Sequence, residues 1–307
     1  MTIERTPLTF QSGGAVCAAT LFAPAAPRAR MPCVVMANGF SGTMDWILPW
    51  FAERFATAGL AVLTFDYRHL GQSGGEPRQI VDVQEQRADL RAAVALARSR
   101  QGIDPERVAL WGTSLGGSHV VEIAAEDPRI AAVILNMPAL DALAGARAKA
   151  RRERARVSRA TMAWVTARLL AAAVRDAARG ALGRPPRYLA VHGAPGEAFF
   201  TDPGLAPRFE RVAAESATWQ NRVAARFLLR LPRYREGTME RIAAPILVCL
   251  AEHDVEVSAE FVKAKAAKAR RADVRVYPAG HFDLYHGDTF EQAVADQSEF
   301  LRAHLAP

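Results

Sequence analysis

Gly112-Thr113-Ser114-Leu115-Gly116 carries the pattern Gly-x-Ser-x-Gly, in which a serine on a tight strand-to-helix turn can attack a carbonyl carbon. The flanks suit such a turn: Arg107-Val108-Ala109-Leu110-Trp111 reads as a buried strand, and a helical pattern begins at Leu115. Glycine at 112 and 116 lets neighbouring chain approach a backbone held at strained angles. The first amides of a helix have no intrahelical acceptor, so the Leu115 N–H can receive a developing oxyanion.

A nucleophilic serine needs a base, and the base needs a group to orient it. Ile246 to Leu250 reads as a buried strand and delivers Ala251-Glu252-His253-Asp254 at its carboxyl end. Val274 to Tyr277 reads as the next strand and delivers Pro278-Ala279-Gly280-His281. The order Ser, Asp, His, each beyond a strand, is what an open α/β sheet needs to gather three side chains at one edge. Ser114 is therefore expected as nucleophile, His281 as general base and Asp254 as orienter. Glu252 and Asp141 remain alternatives for the acid. His119, His253 and His286 have no matching ligand set, so no metal and no cofactor is expected. A second oxyanion donor should come from the loop after an earlier strand. Cys33 to Ala37 reads as that strand, and the Phe40 amide in Asn38-Gly39-Phe40-Ser41-Gly42 is the candidate.

These segments, together with Phe65-Asp66-Tyr67-Arg68-His69-Leu70-Gly71-Gln72-Ser73-Gly74-Gly75 and Tyr277-Pro278-Ala279-Gly280-His281-Phe282-Asp283, make the chain resemble a serine α/β-hydrolase. It is most similar to members related to dienelactone hydrolases and to polyketide transferase or thioesterase-like hydrolases. That resemblance implies cleavage of an ester or thioester through an acyl-enzyme. An acyltransferase or cyclase acting on a polyketide-like chain would use the same residues, a lyase would use the histidine alone, and a non-catalytic receptor is the reading from another class. Family members often have His-Gly where this chain has Asn38-Gly39, which leaves the role of the Asn38 side chain open.

Eight strands are expected, near Leu8–Gln11, Val16–Phe22, Cys33–Ala37, Ala61–Phe65, Arg107–Trp111, Ala131–Asn136, Ile246–Leu250 and Val274–Tyr277. Helices are expected over Trp46–Ala58, where Ile47, Phe51 and Phe55 share a face, and over Asp82–Arg100 and Thr289–His304. Alternating strands and helices predict a mostly parallel eight-stranded sheet covered on both faces, with an antiparallel pair in front. The core is expected in residues 1–138 and 241–307. Residues 139–240 change character, from strand-like runs to charged, Ala-rich helical sequence, and predict a helical cap inserted after the sixth strand. Met162, Val165 and Leu169 mark one apolar helix stripe there, and Val223 with Phe227 another. Asn38, Trp46, Trp50, Phe199, Phe200 and Trp219 are candidate pocket walls, with plain packing the alternative for each. Such walls would suit a small to medium, largely apolar acyl group.

The 307 residues, half of them hydrophobic, suffice for one large core with an insertion. No basic-then-apolar segment opens the sequence and no apolar run approaches ~18 residues, so a cytoplasmic protein without membrane attachment is expected. Cys17, Cys33 and Cys249 have no metal spacing, and the strand positions of Cys33 and Cys249 suit small buried hydrophobes. The net charge of +7 is spread over many arginines. Its densest run, Arg147, Lys149, Arg151, Arg152, Arg154, Arg156 and Arg159, lacks the interleaved aromatics that base stacking requires. No nucleic-acid partner is expected. A solvated helix accounts for the run, with an anionic carrier or coenzyme A phosphate as the alternative. The expected partner is a small-molecule ester or thioester, either free or carrier-linked, and a homodimer is compatible with the sequence.

Overall fold

The computed structural model describes residues 2–25, 30–153 and 158–305. Strands β1 (Ile3–Ser12) and β2 (Ala15–Pro24) form an antiparallel hairpin, joined by β3 (Met31–Ala37), β4 (Ala61–Phe65), β5 (Ile103–Thr113) and β6 (Ile130–Asn136). Between these strands lie α1 (Leu48–Thr57), α2 (Val83–Ser99) and α3 (Leu115–Glu126). After β6 come α4 (Ala142–Glu153), α5 (Arg159–Ala181), β7 (Tyr188–His192), β8 (Ala198–Phe200), α6 (Ala206–Glu215), β9 (Val223–Ala224) and α7 (Thr238–Arg241). The chain then returns through β10 (Ile246–Ala251), α8 (Ala259–Ala266), β11 (Ala272–Tyr277) and α9 (Gly287–Leu305).

The main sheet has eight strands in the order β1-β2-β4-β3-β5-β6-β10-β11. β2 pairs antiparallel with β4, and every pairing from β4 to β11 is parallel. β4 and β10 are buried at every position, as strands covered on both faces must be. Packing decides the helices: α1 and α9 touch each other and the sheet, and so do α2 and α3. α2 is also started locally, because the Asp82 carboxylate accepts the Gln84 and Glu85 amides at 2.9 and 3.2 Å. Inside the core, Trp111 Nε1 donates to Gln297 Oε1 at 2.8 Å, and Gln297 Nε2 donates to Asn136 Oδ1 at 3.2 Å, tying α9 to β5 and β6. All three cysteines are free and buried; burial pushes the Cys33 and Cys249 thiols up to about 12 and that of Cys17 up to about 11.

The segment between β6 and β10 is not wholly helical. β7, β8 and β9 form a second, three-stranded sheet in the order β8-β7-β9. Val223, expected on a helix stripe with Phe227, pairs instead with Leu189 across β7 and β9, while Phe227 lies in a single 3-10 turn over Ala225–Leu229. Strand pairing has overridden an i, i+4 spacing that four residues are too few to secure. The stripe of Met162, Val165 and Leu169 does lie on α5, half-buried. Of the basic run, Arg154 and Arg156 lie outside the described residues. No helix among the described residues is long and apolar enough to cross a membrane, and none of their acidic, histidine and cysteine side chains cluster as a metal site would require.

Candidate active site

Ser114 stands between the last residue of β5 and the first of α3, at φ 50° and ψ −119°. A side-chain-bearing residue reaches such angles only under strain, and the surroundings hold it there. The Ser114 N–H donates to Asn136 O at 3.0 Å, and its carbonyl accepts the Gly117 and Ala139 amides at 3.0 and 2.8 Å. A Cβ on Gly116 would lie 2.2 Å from Ala37 O, and one on Gly112 would lie 2.6 Å from Gly116 O. Both spacer glycines are therefore set by close backbone approach. Other positive-φ side chains gather on the same edge of the sheet: Ser41 and Ile47 after β3, His69 after β4 and Met137 after β6.

The loop after β10 brings Asp254 to His281 in the loop after β11. His281 Nδ1 lies 2.7 Å from Asp254 Oδ2, with the two residues only 5% and 2% exposed. The other oxygen of Asp254 accepts the Glu256 and Val257 amides at 2.8 and 2.9 Å. Burial acts to lower the pKa of His281, but the charge of Asp254 and its hydrogen bond outweigh it and raise the group above its ordinary value. Glu256, half-buried beside this pair, is pushed up by desolvation despite Lys149 of α4 at 3.4 Å. The alternatives for the acid are placed elsewhere. Glu252 is exposed, and Asp141 is committed to the Ala144 and Tyr234 amides and to Arg233.

Ser114 and His281 line one cavity of about 20 Å³, together with Asn38, Gly39, Phe40 and Thr113. That is room for about one water molecule. Ile47, Phe209, Phe282 and Tyr285 complete the walls with Trp46 and Phe200. Phe199 stands one layer back, its ring 4.7 Å from Phe40, and Trp219 stacks on Trp46 at 5.7 Å. Trp50 is not part of this lining and packs against His286 at 5.1 Å. Asn38 turns its amide into its own loop: Nδ2 donates to Thr43 O and Trp46 O at 2.7 and 3.1 Å, and Oδ1 accepts the Gly39 N–H at 2.7 Å. Among the described residues no acceptor is seen for the Phe40 amide, and Leu115 supplies the first N–H of α3.

Sequence reasoning did not single out Thr113, Ile47, Phe209, Phe282 or Tyr285. Phe282 and Thr113 neighbour the expected histidine and serine, so adjacency was the available signal for them. Tyr285 is fixed by a 2.6 Å bond between its hydroxyl and Thr113 Oγ1, a contact across 172 positions that no local pattern announces. Phe209 sits on α6, whose apolar face could be read as ordinary packing.

The family profile described as "Serine aminopeptidase, S33" matches residues 28–293. The chain belongs to this family of α/β-hydrolases. Within the family's range it is similar to the quorum-quenching protein AidA of Acinetobacter baumannii (strain MDR-ZJ06), 37% identical over 295 residues, covering 95% of this chain and 93% of that one. It is also similar to the polyketide transferase ATR5 of Stachybotrys chlorohalonatus (strain IBT 40285), 28% identical, covering 90% of each chain. Among solved structures, the α/β-hydrolase GrgF from Penicillium sp. sh18 superposes with a TM-score of 0.78 at 25% identity, covering 99% of this chain and 100% of that one. The S33 α/β-hydrolase assignment makes this chain an enzyme of the hydrolase class.

Proposed function

We propose that this enzyme cleaves a carboxylic ester or thioester of a small to medium, largely apolar acyl group through an acyl-enzyme on Ser114. The observation that carries the reading is the 2.7 Å contact of His281 Nδ1 with Asp254 Oδ2, in a histidine that lines the same cavity as Ser114. With Nδ1–H given to the carboxylate, Nε2 is the basic nitrogen and takes the Ser114 proton as Oγ attacks the carbonyl. The Phe40 and Leu115 amides receive the charge that develops on the carbonyl oxygen. The imidazolium then protonates the leaving alcohol or thiol, and a water deprotonated by Nε2 releases the acid in a second addition and collapse.

The walls support the apolar acyl group: Phe40, Trp46, Ile47, Phe200, Phe209 and Phe282 present hydrocarbon surface. Residues 139–240 are read as a cap over the carboxyl edge of the sheet, with 1–138 and 241–307 as the core that carries the reacting groups. Acyl transfer is the second reading. The name of ATR5, a polyketide transferase, favours it, and it differs only in the nucleophile that takes the acyl group from Ser114. A carrier or coenzyme A thioester would serve as the acyl source in either case.

Intact-protein mass after fluorophosphonate treatment, with mapping of the modified peptide, tests the reading. A single adduct on Ser114, together with turnover of p-nitrophenyl esters or acyl thioesters, is expected. An unmodified Ser114 beside a fully labelled control esterase would overturn it. Product analysis with water against added alcohols and amines separates hydrolysis from transfer.

A further inference from the structure

Asp45 lies in the loop between β3 and α1 and is half-buried. Its Oδ1 accepts the hydroxyls of Thr43, Ser216 and Thr218 at 2.6, 2.9 and 2.9 Å. Its Oδ2 accepts the backbone amides of Ala217 and Thr218 at 2.9 and 3.1 Å. One carboxylate thus gathers a donor from its own loop and four from the insertion just beyond α6. Beside it, Trp219 Nε1 donates to Ser41 Oγ at 3.2 Å, and the Trp219 ring stacks on Trp46. Ser41, Thr43 and Trp46 all belong to the loop that presents the Phe40 amide. The same loop is braced from inside by Asn38, whose bonds end on the Thr43 and Trp46 carbonyls.

We infer that Asp45 is a positioning residue that couples closure of the insertion over Ser114 to the shape of the loop carrying the Phe40 amide. The inference rests on the proposed acyl-transfer chemistry at Ser114. A cavity of about 20 Å³ cannot hold an acyl substrate, for which sites of about 300 Å³ or more are usual. In this inference room for substrate is made by α6, whose Phe209 is one wall of the cavity, moving with the adjoining segment 216–219 away from Trp46 and Phe282. The contacts that must part are hydrogen bonds to a partly solvated carboxylate, which water can replace at small net cost, so the latch is reversible. Parting also removes the insertion's hold on Ser41 and on the Asp45 side of the loop. When the insertion closes again over substrate, Asp45 draws Thr43 and Ser216 together and resets the turn that aims Phe40 N–H. The oxyanion site is complete only when the cavity is sealed from bulk water.

The test uses the full chain and three variants. Asp45→Ala removes the hub. Ser216→Ala with Thr218→Val removes the two hydroxyl bonds from the insertion side and leaves residues 38–46 chemically untouched. Asp45→Asn is the conservative variant, because its carbonyl can accept the two fixed amides while its NH2 faces hydroxyls that can rotate to accept. Amide hydrogen exchange is followed in peptides covering 38–46 and 206–219, with kcat and KM for p-nitrophenyl butyrate. In the double variant and in Asp45→Ala, exchange should rise about tenfold in both segments, kcat should fall about tenfold, and KM should change less. Asp45→Asn should recover most of both readouts. Faster exchange in 206–219 with unchanged exchange in 38–46, or unchanged kcat, overturns the coupling. Coupled exchange with a Ser114 that no fluorophosphonate modifies would instead sink the acyl-enzyme reading and leave the coupling standing.

Discussion

His281 and Asp254 meet at 2.7 Å although both are almost wholly removed from water, and their contact makes the imidazole more basic than an ordinary histidine. In the proposed mechanism His281 is the general base and must be neutral, so kcat/KM should rise with pH through a midpoint above 6.5. Asp254→Asn should lower that midpoint and cut kcat by about 10⁴, as removing the orienter of a histidine base does. Stability runs the other way. A raised folded-state pKa stabilises fully below the unfolded value of 6.5, and that contribution disappears as pH rises through the folded value. The difference in Tm between the protein and Asp254→Asn should therefore narrow from pH 6 toward alkaline pH, and a pH-independent difference would count against the pair.

Ser114 holds φ at 50°, where glycine sits without strain. Ser114→Ala should abolish turnover and leave Tm nearly unchanged, because alanine keeps the same backbone strain. Ser114→Gly should also be inactive yet more stable, by about 1 kcal/mol. Urea unfolding of the two variants side by side provides the comparison. Equal midpoints would mean that the elbow is not strained.

Phe209 is 1% exposed and packs against both Trp46 and Phe282 on the cavity wall. Phe209→Ala should cost about 3–5 kcal/mol of stability through the space it leaves. The same space lies beside Ser114, so the ratio of kcat/KM for octanoyl over acetyl esters should increase. An unchanged ratio would assign Phe209 to packing alone.

Asp176 on α5 is fully buried and accepts Nε, Nη2 and the backbone amide of Arg226, along with the Arg187 amide. Burial pushes its carboxyl up, but these bonds prevail and hold it below the usual carboxylate range. Its stabilising effect is thus present above about pH 4 and is lost as pH falls through the folded value. Asp176→Ala should loosen α5 from the small sheet at a cost of about 3 kcal/mol. Proteolytic nicking confined to the insertion would be the readout, and resistance equal to that of the parent chain would contradict it.

The core of this molecule was legible because buried parallel strands leave continuous apolar runs: Cys33 to Ala37 ends at the glycine-containing turn 38–42, and Ile246 to Leu250 ends at the polar stretch Glu252-His253-Asp254. The elbow at Ser114 was legible for the same reason, being attached to such a strand, whereas the loop at His281 follows the edge strand β11, whose short Val274-Arg275-Val276-Tyr277 alternation marks it instead. The family assignment and fold agree with that reading. The insertion was less legible. β9 has two residues and β8 three, and a strand that short exists only by pairing with β7. Contacts such as Asp45 with Thr218, or Tyr285 with Thr113, join positions more than 170 residues apart. Their partners are chosen by tertiary geometry and leave no periodic trace.

The three buried cysteines give the chain an experimental convenience. Thiols held protonated and out of reach are poor nucleophiles, so the native protein should behave toward maleimides and iodoacetamide as though it had none. A cysteine placed on an exposed face of α6 would then be a single address for a spin label or fluorophore. Distances from such a label to one on α2 could follow the insertion through a catalytic cycle without first rebuilding the core.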